Sequence, residues 1–151
     1  MMDWRLTSFH EFSADQLYDI LQLRTEVFVV EQACAYLEVD GKDKDALHLT
    51  GVRDGVIEAY ARLLPPGTAY EEASIGRVIV RPNLRGTGLG KALLHRSMEA
   101  VYHHLNADRI KIQAQEYALP FYEKAGFVAV TSSYLDDGIP HVDMIHHVNK
   151  K

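Results

Sequence analysis

A single cysteine, Cys34, stands among 151 residues, so no intramolecular disulfide can form and no multi-cysteine zinc centre can be built. Cys34 itself reads as a small apolar residue or free thiol near the end of a helix, with a catalytic nucleophile as the less economical alternative. No apolar run approaches the roughly 18 residues that a membrane helix needs, and the N-terminal MMDWRLTSFHEF has no apolar centre of a secretory signal. A cytoplasmic protein with no membrane partner is therefore predicted. An excess of basic charge is also missing: the formal net charge is −5, which argues against a broad surface for nucleic-acid phosphates but leaves room for a local pocket for one small anion. The 8 histidines are scattered, and the pairs His103-His104 and His146-His147 are adjacent, so their side chains diverge on a helix or a strand and form no chelate. No structural or catalytic metal is expected. What is present is a balance of 47% hydrophobic and 25% charged residues, enough for one sizeable core, and a single domain over 1–151 is predicted.

Along the chain, Trp4 to Phe9 alternates weakly as a first strand would. Ser13 with Gln16 three residues on forms a capping-box pattern, and Leu17, Ile20, Leu21, Arg24, Val27 and Phe28 recur at helical spacing, which predicts a helix over Ala14 to Glu31. All of those six are apolar except Arg24. The stretch CAYLEVDGKDKDA then reads as a loop with a turn at Asp40-Gly41. His48–Arg53 and Val56–Leu64 flank Asp54-Gly55 and predict a hairpin. Ser74–Val80 is a further strand, and its Val78-Ile79-Val80 end has the continuous apolar character of a strand covered on both faces. Leu94, Met98, Val101 and Leu105 mark a helix with one buried stripe, and IKIQA from Ile110 to Ala114 is the next strand. Pro120 and Gly126 bound a two-turn helix, followed by strands at Val128–Val130 and His141–Val148 around a turn-like DDGIP. These elements predict an α+β (mixed α/β) fold with one main sheet.

The segment RVIVRPNLRGTGLGKALL passes from a strand through three glycines into a helix. It is not a P-loop, because Arg85 stands where that motif needs glycine and Ala92 where it needs Ser or Thr. It is not a dinucleotide fingerprint either, because Lys91 occupies the third glycine position. What remains is Arg85-Gly86-Thr87-Gly88-Leu89-Gly90. Bare backbone at Gly86, Gly88 and Gly90 lets successive N–H groups approach an anion at the start of a helix, a pyrophosphate being the natural occupant; a tight turn with no ligand accounts for the same glycines.

Val78 to Leu94 resembles the acyl-CoA pyrophosphate motif of the GNAT N-acetyltransferase superfamily, and ALPFYEKAGF, Ala118 to Phe127, resembles that superfamily's second signature. Over nearly its whole length, through LRTEVFVVEQ, AYARLL, GRVIVRPNLRG and DDGIPHVDM, the chain is similar to the ElaA-like branch. The resemblance implies a single central, mostly antiparallel sheet flanked by helices. It further implies an enzyme that moves an acetyl group directly from acetyl-CoA, as cosubstrate and without metal, to a primary amine of a small molecule or peptide. A homodimer is compatible with it.

Carried onto this chain, the resemblance implies that the backbone of Val78, Ile79 and Val80 pairs with pantetheine. It implies equally that Arg85, Gly86, Thr87, Gly88, Leu89 and Gly90 hold the pyrophosphate, with Lys91 as a supplementary charge, and that Tyr122 protonates the departing thiolate. A phenol suits that task because it stays protonated at neutral pH; Tyr122 as a core residue of its helix is the alternative. The base is less determined: the family's glutamate position falls near Ser74, and the candidates are Glu72, acting through water, and His141, whose imidazole is of the type that titrates near neutrality. An alkylamine is neutral in only about one molecule in a thousand at pH 7, about 4 to 5 kcal/mol, which desolvation alone could offset. Phe28, Glu31 and Gln113, with Gln32 and Gln115, are the acceptor-site candidates. A non-catalytic acyl-CoA sensor using the same cleft is the competing function.

Overall fold

The central strands are buried almost continuously, because helices cover both faces of the sheet. The computed structural model describes residues 2–33 and 37–148, so Cys34 lies outside the described residues. Strands β1 (Asp3–Ser8), β2 (Leu47–Arg53), β3 (Val56–Leu64), β4 (Ala73–Val80), β5 (Arg109–Gln115), β6 (Val128–Ala129), β7 (Tyr134–Asp136) and β8 (Ile139–His147) form one sheet. The order is β1-β2-β3-β4-β5-β8-β6, with β7 also pairing β8. Among the described residues β4 and β5 are the sole parallel neighbours; every other pair is antiparallel.

One face packs on α2 (Leu89–His104), where Leu93, Leu94, Met98 and Val101 meet Leu63, Ile75, Ile110 and Met144. The other packs on α1 (Ala14–Arg24), whose Ile20 and Leu23 meet Tyr60 and Ile79. Burying each such aliphatic side chain contributes about 1.5 to 3 kcal/mol. α3 (Leu119–Lys124) lies across the end of the sheet that carries β5.

The capping box forms as the sequence indicates: Gln16 N–H donates to Ser13 Oγ (3.1 Å) and Ser13 N–H to Gln16 Oε1 (2.9 Å). The first helix departs from the expected continuous one. It is α-helical only to Arg24, and Thr25–Glu31 is a π-helix, with Gln32 N–H bonded to Val27 C=O. Thr25 Oγ1 donates back to Leu21 C=O (2.8 Å), and the β-branched Val27, Val29 and Val30 crowd the following turn, both of which favour widening it. DDGIP holds the turn that the sequence indicates, with strands running into it from both sides. It joins β7 to β8 as a hairpin, with Asp137 and Gly138 at φ 51° and 76°. Pro140 is accommodated because β5 pairs with β8 no further than His141, opposite Gln115.

Candidate functional site: a cleft between two splayed strands

Although β4 and β5 have 8 and 7 residues, they pair only at Ala73–Ile110 and Ser74–Lys111. A bulge explains the divergence. On β3 the register advances from Tyr60 to Arg62 while on β4 it runs from Ile79 to Gly76, so β4 carries one extra residue, and Arg77 takes a left-handed φ of 50°. Such a bulge bends its strand. Beyond Ser74 the β5-facing edge of β4 therefore has no strand partner, and a cleft opens between Gly76 and Val78 on one side and Ile112 and Gln113 on the other.

At the end of β4 the chain turns through Pro82–Leu84 into the glycine loop. The first hydrogen bond of α2 runs from Ala92 N–H to Gly88 C=O (3.2 Å). None of the amides from Gly86 to Lys91 donates a well-formed hydrogen bond to protein among the described residues. Without a short, straight bond to protein, these donors stand at the positive end of a helix dipole, the arrangement that binds phosphate. Gly88, the helix N-cap, has φ 88°, where a side chain would be strained. Thr87 Oγ1 donates to Leu84 C=O (2.6 Å) and tightens the loop. The Arg85 guanidinium braces it, with Nε on Val80 C=O (3.0 Å) and an ion pair to Glu31 (3.0 Å).

Tyr122, on α3, lines the cleft, and its hydroxyl has no hydrogen-bond partner among the described residues. Desolvation, with a smaller contribution from Tyr117, pushes its phenol up to about 12. His141 lines the same cleft and is only 9% exposed. Its Nδ1 lies 2.7 Å from Ile139 C=O; a carbonyl only accepts, so Nδ1 carries a proton, and in the neutral imidazole the lone pair is on Nε2. Tyr134, directly across β7 and β8, stacks on the imidazole with ring centroids 6.4 Å apart.

One wall of the cleft is held by a buried ionic lattice. Arg24, fully buried, donates to Glu38 (2.6 Å) and Asp43 (2.7 Å); Arg62 pairs with Asp40 (2.8 Å) and Asp43 (3.1 Å); Arg77, at the bulge, pairs with Glu38 (2.9 Å). Burial disfavours the charge on Arg24, but Tyr60, Asp43 and Glu38 outweigh it and raise its pKa. Burial would raise Asp40 too, yet the Arg62 fork, Lys42 N–H and Arg77 hold it well below the ordinary carboxylate range. His48 completes the lattice, bonded to Tyr60 Oη (2.6 Å) and Asp43 C=O (2.9 Å), and desolvation lowers its pKa. These contacts fix the segment from Glu38 to Asp45 against the bulged part of β4.

The residues singled out from sequence divide accordingly. Tyr122, His141, Phe28, Gln113 and Val78 line one cleft, and Ile79 and Val80 continue β4 to the glycine loop. Glu31 is elsewhere, against Arg85 at the glycine loop. Glu72 sits at the opposite end of β4, 3.8 Å from Arg109, in a separate surface depression with Glu71 and Asp108. Among the described residues no group of three or more His, Cys, Asp or Glu is able to hold a metal, and no helix is long and apolar enough to cross a membrane. Sequence reasoning missed the lattice and Tyr134. Its one signal was Arg24, a charge on an otherwise apolar helical stripe, which is a demand for buried counter-charges.

The chain belongs to the acetyltransferase (GNAT) domain family, whose model matches residues 10–148. Within it the chain is ElaA-like: it is 41% identical over 150 residues to the protein ElaA of Escherichia coli strain K12, covering 98% of both chains. The crystal structure of Escherichia coli ElaA matches with a TM-score of 0.91 at 40% identity, over 97% of this chain and 100% of that one. That of an acyl-CoA N-acyltransferase from Pseudomonas aeruginosa matches with a TM-score of 0.89 at 43% identity, over 97% and 99%. The α+β fold with one mostly antiparallel sheet flanked by helices is the one the sequence pointed to.

Proposed function

We propose that the protein is an N-acetyltransferase that moves an acetyl group from acetyl-CoA directly to a primary amine of a small molecule or peptide. The observation that carries this reading is the run of amides from Gly86 to Lys91, without a well-formed bond to protein, that follows the end of the strand lining the β4–β5 cleft. Those donors fit a pyrophosphate. A Cβ added at Gly86 or Gly88 would meet nothing within 4 Å, so the backbone there is open to close approach. The thioester supplies an activated acyl carbon; its C–S bond breaks as the amine nitrogen bonds to that carbon, giving an amide and free thiol.

The chain's own groups handle two protons. His141 Nε2, with Nδ1 committed to Ile139 C=O, accepts the proton the amine sheds. Tyr122, which burial keeps in its protonated form, donates one to the departing sulfur. The β5-facing edge of β4 around Val78 offers main-chain groups to the amides of pantetheine, in the manner of an added strand. The Pseudomonas aeruginosa relative, described as an acyl-CoA N-acyltransferase, supports the donor class. The test follows thiol release from acetyl-CoA across a panel of amines, for the wild type and Tyr122→Phe. Turnover that falls about 10²-fold or more in Tyr122→Phe is expected; tight CoA binding with no turnover on any amine would make the cleft a sensor instead.

A further inference from the structure

The charges around the cleft are not balanced evenly. The cations that line it, Lys42, Arg62 and Arg77, all face carboxylates of the buried lattice: Lys42 and Arg62 face Asp40 at 3.9 and 2.8 Å, and Arg77 faces Glu38 at 2.9 Å. On the opposite wall Asp136 and Asp137 have no cationic partner among the described residues. Asp136 accepts only the neutral Gln113 Nε2 (2.9 Å). His141, only 9% exposed, lines the same cleft, and its Nε2 has no hydrogen-bond partner among the described residues.

Register fixes how these groups relate. Asp136 pairs with Ile139 and Tyr134 with His141, so all four side chains project from one face of the β7–β8 hairpin. Two residue rises separate the Asp136 level from the His141 level, about 7 Å. Tyr70 lines the cleft as well, and burial together with the negative charges of Asp143 and Asp136 raises its phenol pKa, a sign of negative potential reaching across the opening.

We propose that the acceptor is a short diamine-type dication, whose attacking nitrogen sits beside His141 and whose second nitrogen, as ammonium, is held by Asp136 with Asp137 at the cleft mouth. The inference rests on the acetyl-transfer reading of the same cleft. An ammonium meets two carboxylates without a cationic partner there, whereas a carboxylate-bearing acceptor meets no unpaired cation among the lining residues.

The experiment compares putrescine, n-butylamine and γ-aminobutyrate, which share a four-carbon chain and differ only at the far end. Their kcat/KM values with acetyl-CoA are measured, and their binding to the CoA-free protein is measured by calorimetry. A charge-assisted contact predicts putrescine above n-butylamine by about 10- to 100-fold in both measurements, with γ-aminobutyrate poorest. In Asp136→Asn the putrescine preference is expected to fall to within about threefold of unity. Asparagine keeps an oxygen for Gln113 Nε2, so the hairpin is preserved, and Asp137→Asn, at a left-handed position that asparagine tolerates, serves as the second variant. Putrescine that binds and reacts no better than n-butylamine, or a preference unchanged in both variants, overturns the proposal. Selective putrescine binding without thiol release on any amine supports the subsite and overturns the transfer reading alone.

Discussion

Replacing Gly90 with alanine separates a ligand effect from a folding effect because the two are expected to have opposite signs. Gly90 lies in the first turn of α2 with an ordinary helical φ, unlike Gly86 and Gly88, whose φ of 84° and 88° would charge a side chain about 1 to 2 kcal/mol of strain and confuse the result. A methyl there meets Val80 Cγ2 at 3.7 Å and Phe121 at 3.8 Å, which is normal contact, so the folded protein accepts it. Alanine in a helix is favoured over glycine by up to about 1 kcal/mol, so thermal unfolding is expected to rise by up to about 2 to 4 °C for a chain of this size. CoA binding should move the other way. If the methyl holds the pyrophosphate off the amides of the first turn, one hydrogen bond to a charged group is lost, about 1.5 to 3 kcal/mol, or about 10- to 150-fold in Kd. Calorimetric titration with CoA and a melting curve on the same sample read both. A variant that melts at or above the wild-type temperature and binds CoA with unchanged affinity would refute the placement of the pyrophosphate at this turn.

Three further outcomes are expected. Because burial pushes the Tyr122 phenol up to about 12, it remains protonated through ordinary assay conditions and its donor capacity is lost only as pH rises through that value; a kcat profile whose alkaline limb falls near pH 9 and vanishes in Tyr122→Phe would contradict this. Arg24→Ala leaves Glu38 and Asp43 buried without their cation and should cost about 3 to 5 kcal/mol in urea unfolding, whereas a loss under about 1 kcal/mol would show that the lattice tolerates a missing member. His48 is held neutral in the fold, chiefly by desolvation and despite Asp43 beside it, so its lowered pKa makes stability present above the unfolded value of about 6.5 and lost as pH falls below it; Asp40 and Asp43, also lowered, add a further loss below about pH 4. Urea midpoints should therefore drop between about pH 7 and pH 5, and His48→Gln should flatten that drop.

Local signals carried much of the fold. The Ser13–Gln16 box, the Asp54-Gly55 turn, the α2 stripe and the Pro120–Gly126 brackets each depend on neighbours within a few residues, and each element formed where they stand. What was not legible depends on distant partners. The π-helix from Thr25 to Glu31 shares its apolar spacing with an α-helix, so the pattern alone could not stop the helix at Arg24. The β4 bulge is a register difference between two strands, and it decides both the splay from β5 and the outward turn of Arg77 toward Glu38. The glycine loop joins β4 to α2 and Tyr122 lines the cleft, positions that their residue types and order indicate. Glu72 and Glu31 were drawn in by sequence proximity, but strand direction sends Glu72 to the far end of β4 and the π-turn carries Glu31 to Arg85. His141 was readable, but Tyr134, which stacks on it, was not, because it sits in a three-residue strand hidden inside a turn-like segment.

The central claim is that the backbone from Gly86 to Lys91 is an anion cradle for the pyrophosphate of a thioester carrier. Amide chemical shifts of the isotope-labelled protein, followed during titration with CoA, test it most directly. The largest changes are expected at the amides of Gly86 to Lys91, and they should recur with pyrophosphate alone at higher concentration. Shifts confined to residues away from that loop, with these six amides unmoved at saturation, would contradict the claim.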